Sequence, residues 1–366
     1  MESESLIEWG LEIPRDYGYL KEENTMMIYN IFNDAKTYSY NKAIDDEMSQ
    51  MPEKAAFAIM DSEVIENTLL PKDYSTVSDI IAKIDEIDIA IIEEIARSKY
   101  LNSLQIYEML IMRGFSTKRE NLRKRILKLM RYRVIHENII KRQSSTNGLR
   151  YYEIELKGYI IAMSRGVNFH AGNCYISYKR RIEQGKIDSI ADVKRILAGN
   201  MIVINGLKNG LKMQRFGIME SFYVENEDGM VKDGSIFRTA ATIKIDEESV
   251  LAYEVVRNNK ESYEKLADKV NRYYTLLHNI NYLKANNHMD KVYPQMIICG
   301  ESTEHNKKIF EFLKAKNLLR EDDTLLFTED LLNIKDSAKS IYEFRDNERI
   351  WYRLPLINKS GNRESA

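Results

Sequence analysis

The stretch that most constrains this chain is Gly114–Arg133, GFSTKRENLRKRILKLMRYR. Wound at 100° per residue from Thr117, it puts Leu122, Ile126, Leu129 and Met130 on one side of a helix. Thr117, Asn121, Lys124, Lys128 and Arg131 fall opposite, with Arg123 and Arg125 on the flanks. Such a segment has to bury its stripe on a small core, and it then offers a cationic face to solvent or to a polyanion. Ser116 or Thr117 is expected to cap the first free N–H groups, with Glu120 completing a capping box.

Charge elsewhere in the 366 residues is segregated, so the formal net charge of −2 hides two opposed blocks. Met1–Lys83 holds 17 acidic and 7 basic residues, a net of −10. Arg113–Arg150 holds 12 basic residues against Glu120 and Glu137, a net of +10. A local basic block in a near-neutral chain points to a polyanion-binding module within a larger protein of two or three domains. Cys174 and Cys299 follow no metal-type spacing and fit buried roles in a reducing compartment. His170 beside Cys174 lacks a second pair of ligands for zinc. No apolar run reaches membrane-spanning length, and MESESLIEWG lacks the layout of a secretion signal, so no membrane partner and a cytoplasmic setting are expected.

A compact module is expected over residues 85–165, after an acidic, tyrosine-rich extension over residues 1–84. Ile89, Ile92 and Ile95 recur at helical spacing. A second helix starts at Asn102 or Ser103 and stops at Gly114, and the basic helix comes third. Val134–Arg142 and Leu149–Leu156 are β-branched or aromatic runs around SSTNG, which predicts a hairpin. Three helices and then a hairpin resembles a winged helix-turn-helix. That resemblance implies double-stranded DNA as partner, with the third helix in the major groove and the hairpin as wing. Asn121, Lys124 and Lys128 would then approach base edges, beside Thr117 and Lys118 at the helix start. Arg123, Arg125, Arg131, Lys141, Arg142 and Arg150 would take phosphates. DNA binding of this kind needs no cofactor, and a homodimer on a palindromic site is the default expectation.

After a linker over residues 166–189, the pattern of residues 190–358 turns to mixed α and β, and residues 359–366 form a polar tail. A helix over 191–208 precedes strand-like runs at Leu211–Glu225, Gly234–Ile245 and Val250–Arg257. A helix at Ser262–His278, a strand at Gln295–Cys299, a helix at Glu304–Lys316 and a strand at Leu325–Phe327 follow. Trp351 and Tyr352 are expected to tuck an edge segment back on the domain. The fold class expected is therefore α+β, with a mixed central sheet in the second domain.

That order resembles the restriction-endonuclease-like core, whose members hold Mg or Mn on an acid of the second strand and an (Asp/Glu)-x-Lys motif on the third. On this resemblance Asp233 and Glu254 match the two metal-binding acids. Lys232 stands where a proline is common, and Val256 where the catalytic Lys belongs. Lys269, on the next helix, is the substitute candidate for the third catalytic position. The departure at Val256 implies a vestigial site and a non-cleaving domain. A metal-dependent DNA endonuclease using Asp233, Glu254 and Lys269 is the alternative.

The two halves together, with EVVRNNKESYEKLADKVNRYY at Glu254–Tyr274, are similar to the replication-relaxation family of plasmids and conjugative elements. That similarity implies an accessory or regulatory factor in mobile-element replication or transfer, with other replication or transfer proteins as partners. A transcriptional repressor with a C-terminal sensing or dimerisation domain is a third reading.

Overall fold

The computed structural model describes residues 57–68, 75–142, 148–167, 188–211, 213–224, 236–246, 249–277, 283–285, 294–320, 325–330, 332–333, 337–345, 348–352 and 354. Among them lie eight helices and thirteen strands, so the chain is α+β. It divides into two compact units, Met1–Asn200 and Met201–Ala366. The boundary between them falls inside the helix Ile190–Lys208.

In the first unit, β1 (Glu63–Asn67) and a single-turn α1 (Val77–Ile81) precede α2 (Glu86–Ser98), α3 (Ser103–Met112) and α4 (Arg119–Arg131). β2 (Ile135–Arg142), β3 (Leu149–Ile154), α5 (Leu156–Ser164) and α6 (Ile190–Lys208) follow. α2 opens on a capping box in which Asp85 accepts from the N–H groups of Ile87 and Asp88. α3 opens on another, between Asn102 and Gln105. Gly114 ends α3 at φ +81°, a left-handed conformation that glycine adopts without a Cβ penalty. The amides of Gly114 and Phe115 then close on the carbonyls of Ile111 and Leu110. Leu122, Ile126, Leu129 and Met130 of α4 are all buried, as its period requires. Each contributes on the order of 1.5–3 kcal/mol.

Three features of this unit depart from expectation. β1 pairs antiparallel with β2, giving a sheet in the order β1-β2-β3 instead of a bare hairpin. EVIEN is too short to stand out inside an acidic segment. Second, the strand run expected to Leu156 stops at Ile154 and Leu156 opens the helix α5, where the Glu155 amide bonds back to the Val134 carbonyl and turns the chain away. An apolar run of that length satisfies either period. Third, α6 starts in this unit: Lys194 donates to the Ala58 carbonyl and pairs with Glu63 at 2.6 Å, and Asn200 donates to the carbonyls of Ser98 and Tyr100. Leu101, between α2 and α3, exchanges both backbone hydrogen bonds with Tyr152 and so ties the helices to the hairpin.

The second unit is built on a seven-stranded mixed sheet. Its strands are β4 (Arg215–Ile218), β7 (Ala241–Lys244), β8 (Val250–Val255), β10 (Pro294–Gly300), β11 (Leu326–Glu329), β12 (Ile341–Arg345) and β13 (Glu348–Tyr352). Their order across the sheet is β13-β12-β11-β10-β8-β7-β4. β8, β10 and β11 run parallel, joined through α7 (Lys260–Leu277) and α8 (Thr303–Ala315); the other pairings are antiparallel. The two long strands expected at 211–225 and 234–245 each break. β5 (Ser221–Val224) and β6 (Phe237–Arg238) join β9 (Leu283–Ala285) in a separate three-stranded sheet. The break falls where Met219 takes φ 55° and buried Glu220 folds back onto Arg215. β13 is the edge strand expected near Trp351, but Trp351 and Tyr352 stay largely exposed there. No helix among the described residues is long and apolar enough to cross a membrane.

Candidate nucleic-acid interface

α4 starts one residue later than its capping pattern suggests. Lys118 is the N-cap and makes no side-chain cap bond, while Thr117 is buried and its hydroxyl reaches only the Lys118 carbonyl at 3.5 Å. Thr117 is therefore not placed for an external ligand, and the Glu120 capping box is not formed. The next surprise lies on the flank. Arg125 donates to Asp85 at 2.6 Å and to Asp88 at 2.9 Å, and Lys128 donates to Asp88 and to the Lys83 carbonyl, both at 2.7 Å. Asp88 is wholly buried between the two cations. Asp85 is partly desolvated, which alone would raise its pKa, but the Arg125 bond and the amides of α2 outweigh that and hold it below the usual 3.8.

These carboxylates serve twice. They sit in the first turn of α2, where the helix dipole favours negative charge, and they clamp one edge of α4 to that turn. Arg125 and Lys128, expected at DNA, thus also fasten α4 to α2. Neither Asp85 nor Asp88 was anticipated in that role. The signal was present in the capping pair itself, three residues apart, but nothing local says which helix edge it meets.

What remains open on α4 is Lys118, Glu120, Asn121, Arg123, Lys124, Leu127 and Arg131, all exposed. Lys118, Arg123, Lys124 and Arg131 form no ion pair with any described residue.

The hairpin cations fare differently. Lys141 pairs with Glu66 of β1 at 2.7 Å and is only 12% exposed. Arg150 pairs with Glu137 at 3.2 Å, which also accepts from Thr68 and Tyr152. Arg142 approaches the Met60 sulfur at 3.6 Å. Lys141 and Arg150, expected at phosphates, thus have counter-charges from strand β1 and from the hairpin's own Glu137. The turn at residues 143–147 lies outside the described residues, as do His170, Cys174 and Asp233.

In the second unit, Glu254 of β8 is 3% exposed, and Lys269 of α7 donates to it at 2.5 Å. Lys265 instead pairs with Glu261 on its own helix, and Arg272 donates to the Ile236 carbonyl. Val256 is in the apolar core with Ala252 and Val270. The Lys269 ammonium thus supplies the counter-charge that buried Glu254 needs. Among the described residues no group of three or more His, Cys, Asp or Glu could hold a metal ion.

The sequence reading missed a second polar cluster, at the C-terminal ends of β8, β10 and β11. Arg257 is buried and bonded to Asp330 through two nitrogens at 2.7 and 3.0 Å. Cys299 donates its thiol to Asp330, and burial first, then that carboxylate, push the thiol pKa well up. His305 accepts from the Glu301 amide at 3.0 Å through Nδ1, which leaves the proton on Nε2. Burial, with the positive charges of Arg257 and Lys308, holds His305 down to about 3. Asn306 donates to the Thr328 carbonyl and the Tyr342 hydroxyl. Gly300 is required there, since a Cβ would lie 2.2 Å from Asn306 Oδ1. Open α/β sheets commonly bind ligands at such strand ends, but here Arg257, Asp330 and Cys299 are buried and bonded to one another.

In comparison with known proteins, the chain matches no family model, no curated protein and no solved structure.

Proposed function

We propose that this chain is a double-stranded DNA-binding protein whose first unit acts as a winged helix-turn-helix, with α4 entering the major groove. The observation that carries this reading is the split on α4. Arg125 and Lys128 lock the helix in place, while Lys118, Arg123, Lys124 and Arg131 stay exposed without an ion pair among the described residues. Exposed cations held on a rigid helix are what phosphate contact and groove entry need. On the resemblance drawn from the sequence, the setting is replication or transfer of a plasmid or other mobile element.

The second unit, on this reading, is a restriction-endonuclease-like scaffold used for something other than cleavage. The Lys269 ammonium on Glu254, and Val256 in the core, support that side of the alternative. Binding of a labelled duplex by the full chain, followed by anisotropy across a salt series, tests the proposal. Log affinity should fall steeply with log salt; salt-insensitive or absent binding would sink it. Supercoiled plasmid with Mn²⁺ tests the cleavage alternative. Nicking that disappears in Glu254→Ala would overturn the non-cleaving assignment.

A further inference from the structure

The exposed line of α4 is not purely cationic. Glu120, Lys124, Leu127 and Arg131 follow one another at i, i+4, i+7 and i+11, with Asn121 and Arg123 alongside, and all six are exposed. Leu127 is 40% exposed, whereas Leu122, Ile126, Leu129 and Met130 are at 3% or below. Leu127 is thus the one apolar side chain of α4 turned away from the core. Its neighbours one turn away are Arg123, Lys124 and Arg131. The carboxylate suits the first turn of the helix, where the dipole favours negative charge, but phosphate contact calls for neither it nor the isobutyl group. Glu120 repels phosphate, and Leu127 keeps apolar area in water.

Both groups make sense against base edges. A carboxylate accepts from the cytosine N4 amino group, Asn pairs with adenine, Lys with guanine, and an apolar side chain packs on the thymine 5-methyl. Groove-binding helices lay one exposed face along the bases, starting from their N-terminal residues, and on α4 that face runs from Glu120 through Lys124 to Leu127 in the third turn. We infer that α4 is a sequence reader, with Leu127 as the contact for a thymine methyl group and Glu120 as the group that penalises unspecific duplex. The ligand is then a duplex of defined sequence with a thymine in each half that is read. This rests on the DNA-binding reading above and goes beyond it, because binding alone needs only the cations.

The test starts with the full chain and a random duplex pool, from which bound fragments are selected. Each thymine of the selected site is then replaced singly by uracil, which removes the methyl group and nothing else. One replacement per half-site is expected to weaken binding about 5-fold or more, within the range for a single base contact. Leu127→Ala should bind the thymine and uracil duplexes alike, at the affinity the unaltered chain shows for uracil. Glu120→Gln should bind random duplex more tightly and narrow its margin over the selected site. A uracil effect that persists in Leu127→Ala overturns the assignment. Salt-sensitive binding with no preference for any sequence overturns the inference while leaving DNA binding intact. Absence of binding to every duplex removes the underlying reading as well.

Discussion

α4 and α7 are both amphipathic, both rich in Lys and Arg, and both lie against a sheet, yet they use their charges in opposite ways. α4 carries Arg119, Arg123, Lys124, Arg125, Lys128 and Arg131 against a single acid, Glu120. α7 sets Lys260, Lys265, Lys269 and Arg272 among Glu261, Glu264 and Asp268. On α7, Lys265 goes to a carboxylate of its own helix, Lys269 to buried Glu254 and Arg272 to a carbonyl. On α4, among the described side chains, the Arg125–Lys128 edge is consumed that way, while Arg123, Lys124 and Arg131 remain on the surface. A count of basic residues therefore says little by itself. What distinguishes an interface from a strut is whether the fold supplies the counter-charge.

Four experiments would break or sharpen that contrast. The largest effect is expected where charge is most deeply committed. Arg257→Met strands Asp330 in the interior and should cost the second unit about 3–5 kcal/mol, with Arg257→Met/Asp330→Leu recovering most of it. Urea denaturation followed by hydrogen exchange in β10 and α8 reads this out, and a loss below about 1 kcal/mol would show the pair to be dispensable.

On the open side of α4, Lys124→Glu with Arg131→Glu should lower duplex affinity by about 100-fold at physiological salt. Each lost phosphate contact should flatten the salt dependence by about 0.9. Folding should change by no more than about 0.5 kcal/mol, since neither residue pairs with a described residue. Unchanged binding would mean that the face is only a solvated surface.

Lys128→Met should show the reverse pattern. Removing a charged hydrogen bond from buried Asp88 costs about 1–3 kcal/mol of stability in the first unit, while affinity measured below the unfolding transition moves less than about 3-fold. A large loss of affinity without a loss of stability would return Lys128 to the interface and erase the distinction drawn between the two edges of α4.

The last contrast concerns pH. His305 is held at about 3 against an ordinary 6.5, so between those values the unfolded chain binds more protons than the folded one. Its contribution is complete above pH 6.5 and fades as pH falls toward 3. Asp85 shifts downward from 3.8, so its contribution to the first unit persists on acidification until pH drops below that value. Hydrogen exchange through an acid titration should therefore show α8 loosening before the start of α2. His305→Asn should remove the part of that slope between pH 6.5 and 3, and an identical slope in the variant would dismiss His305 as its source.

Much of the fold could be read from local pattern. The 3.6 period of α4, the capping residue of α3 and the buried run of β10 are local signals, and those elements formed where the patterns lay. The same holds for the apolar setting of Glu254, which already demanded a cation or solvent. What could not be read were the partners. β1 is five residues of acidic sequence whose strand character exists only because β2 lies beside it with free backbone groups. Glu66 on Lys141, Asp88 on Lys128 and Asp330 on Arg257 join residues 75, 40 and 73 positions apart. No periodicity or motif encodes a pairing at such separations. Thus the sequence by itself determined which helix would be basic and which side of it would be buried, because both follow from composition and helical geometry. Only the tertiary structure decided which of those basic groups are neutralised, because charge pairing depends on distances that the chain sets after it has folded.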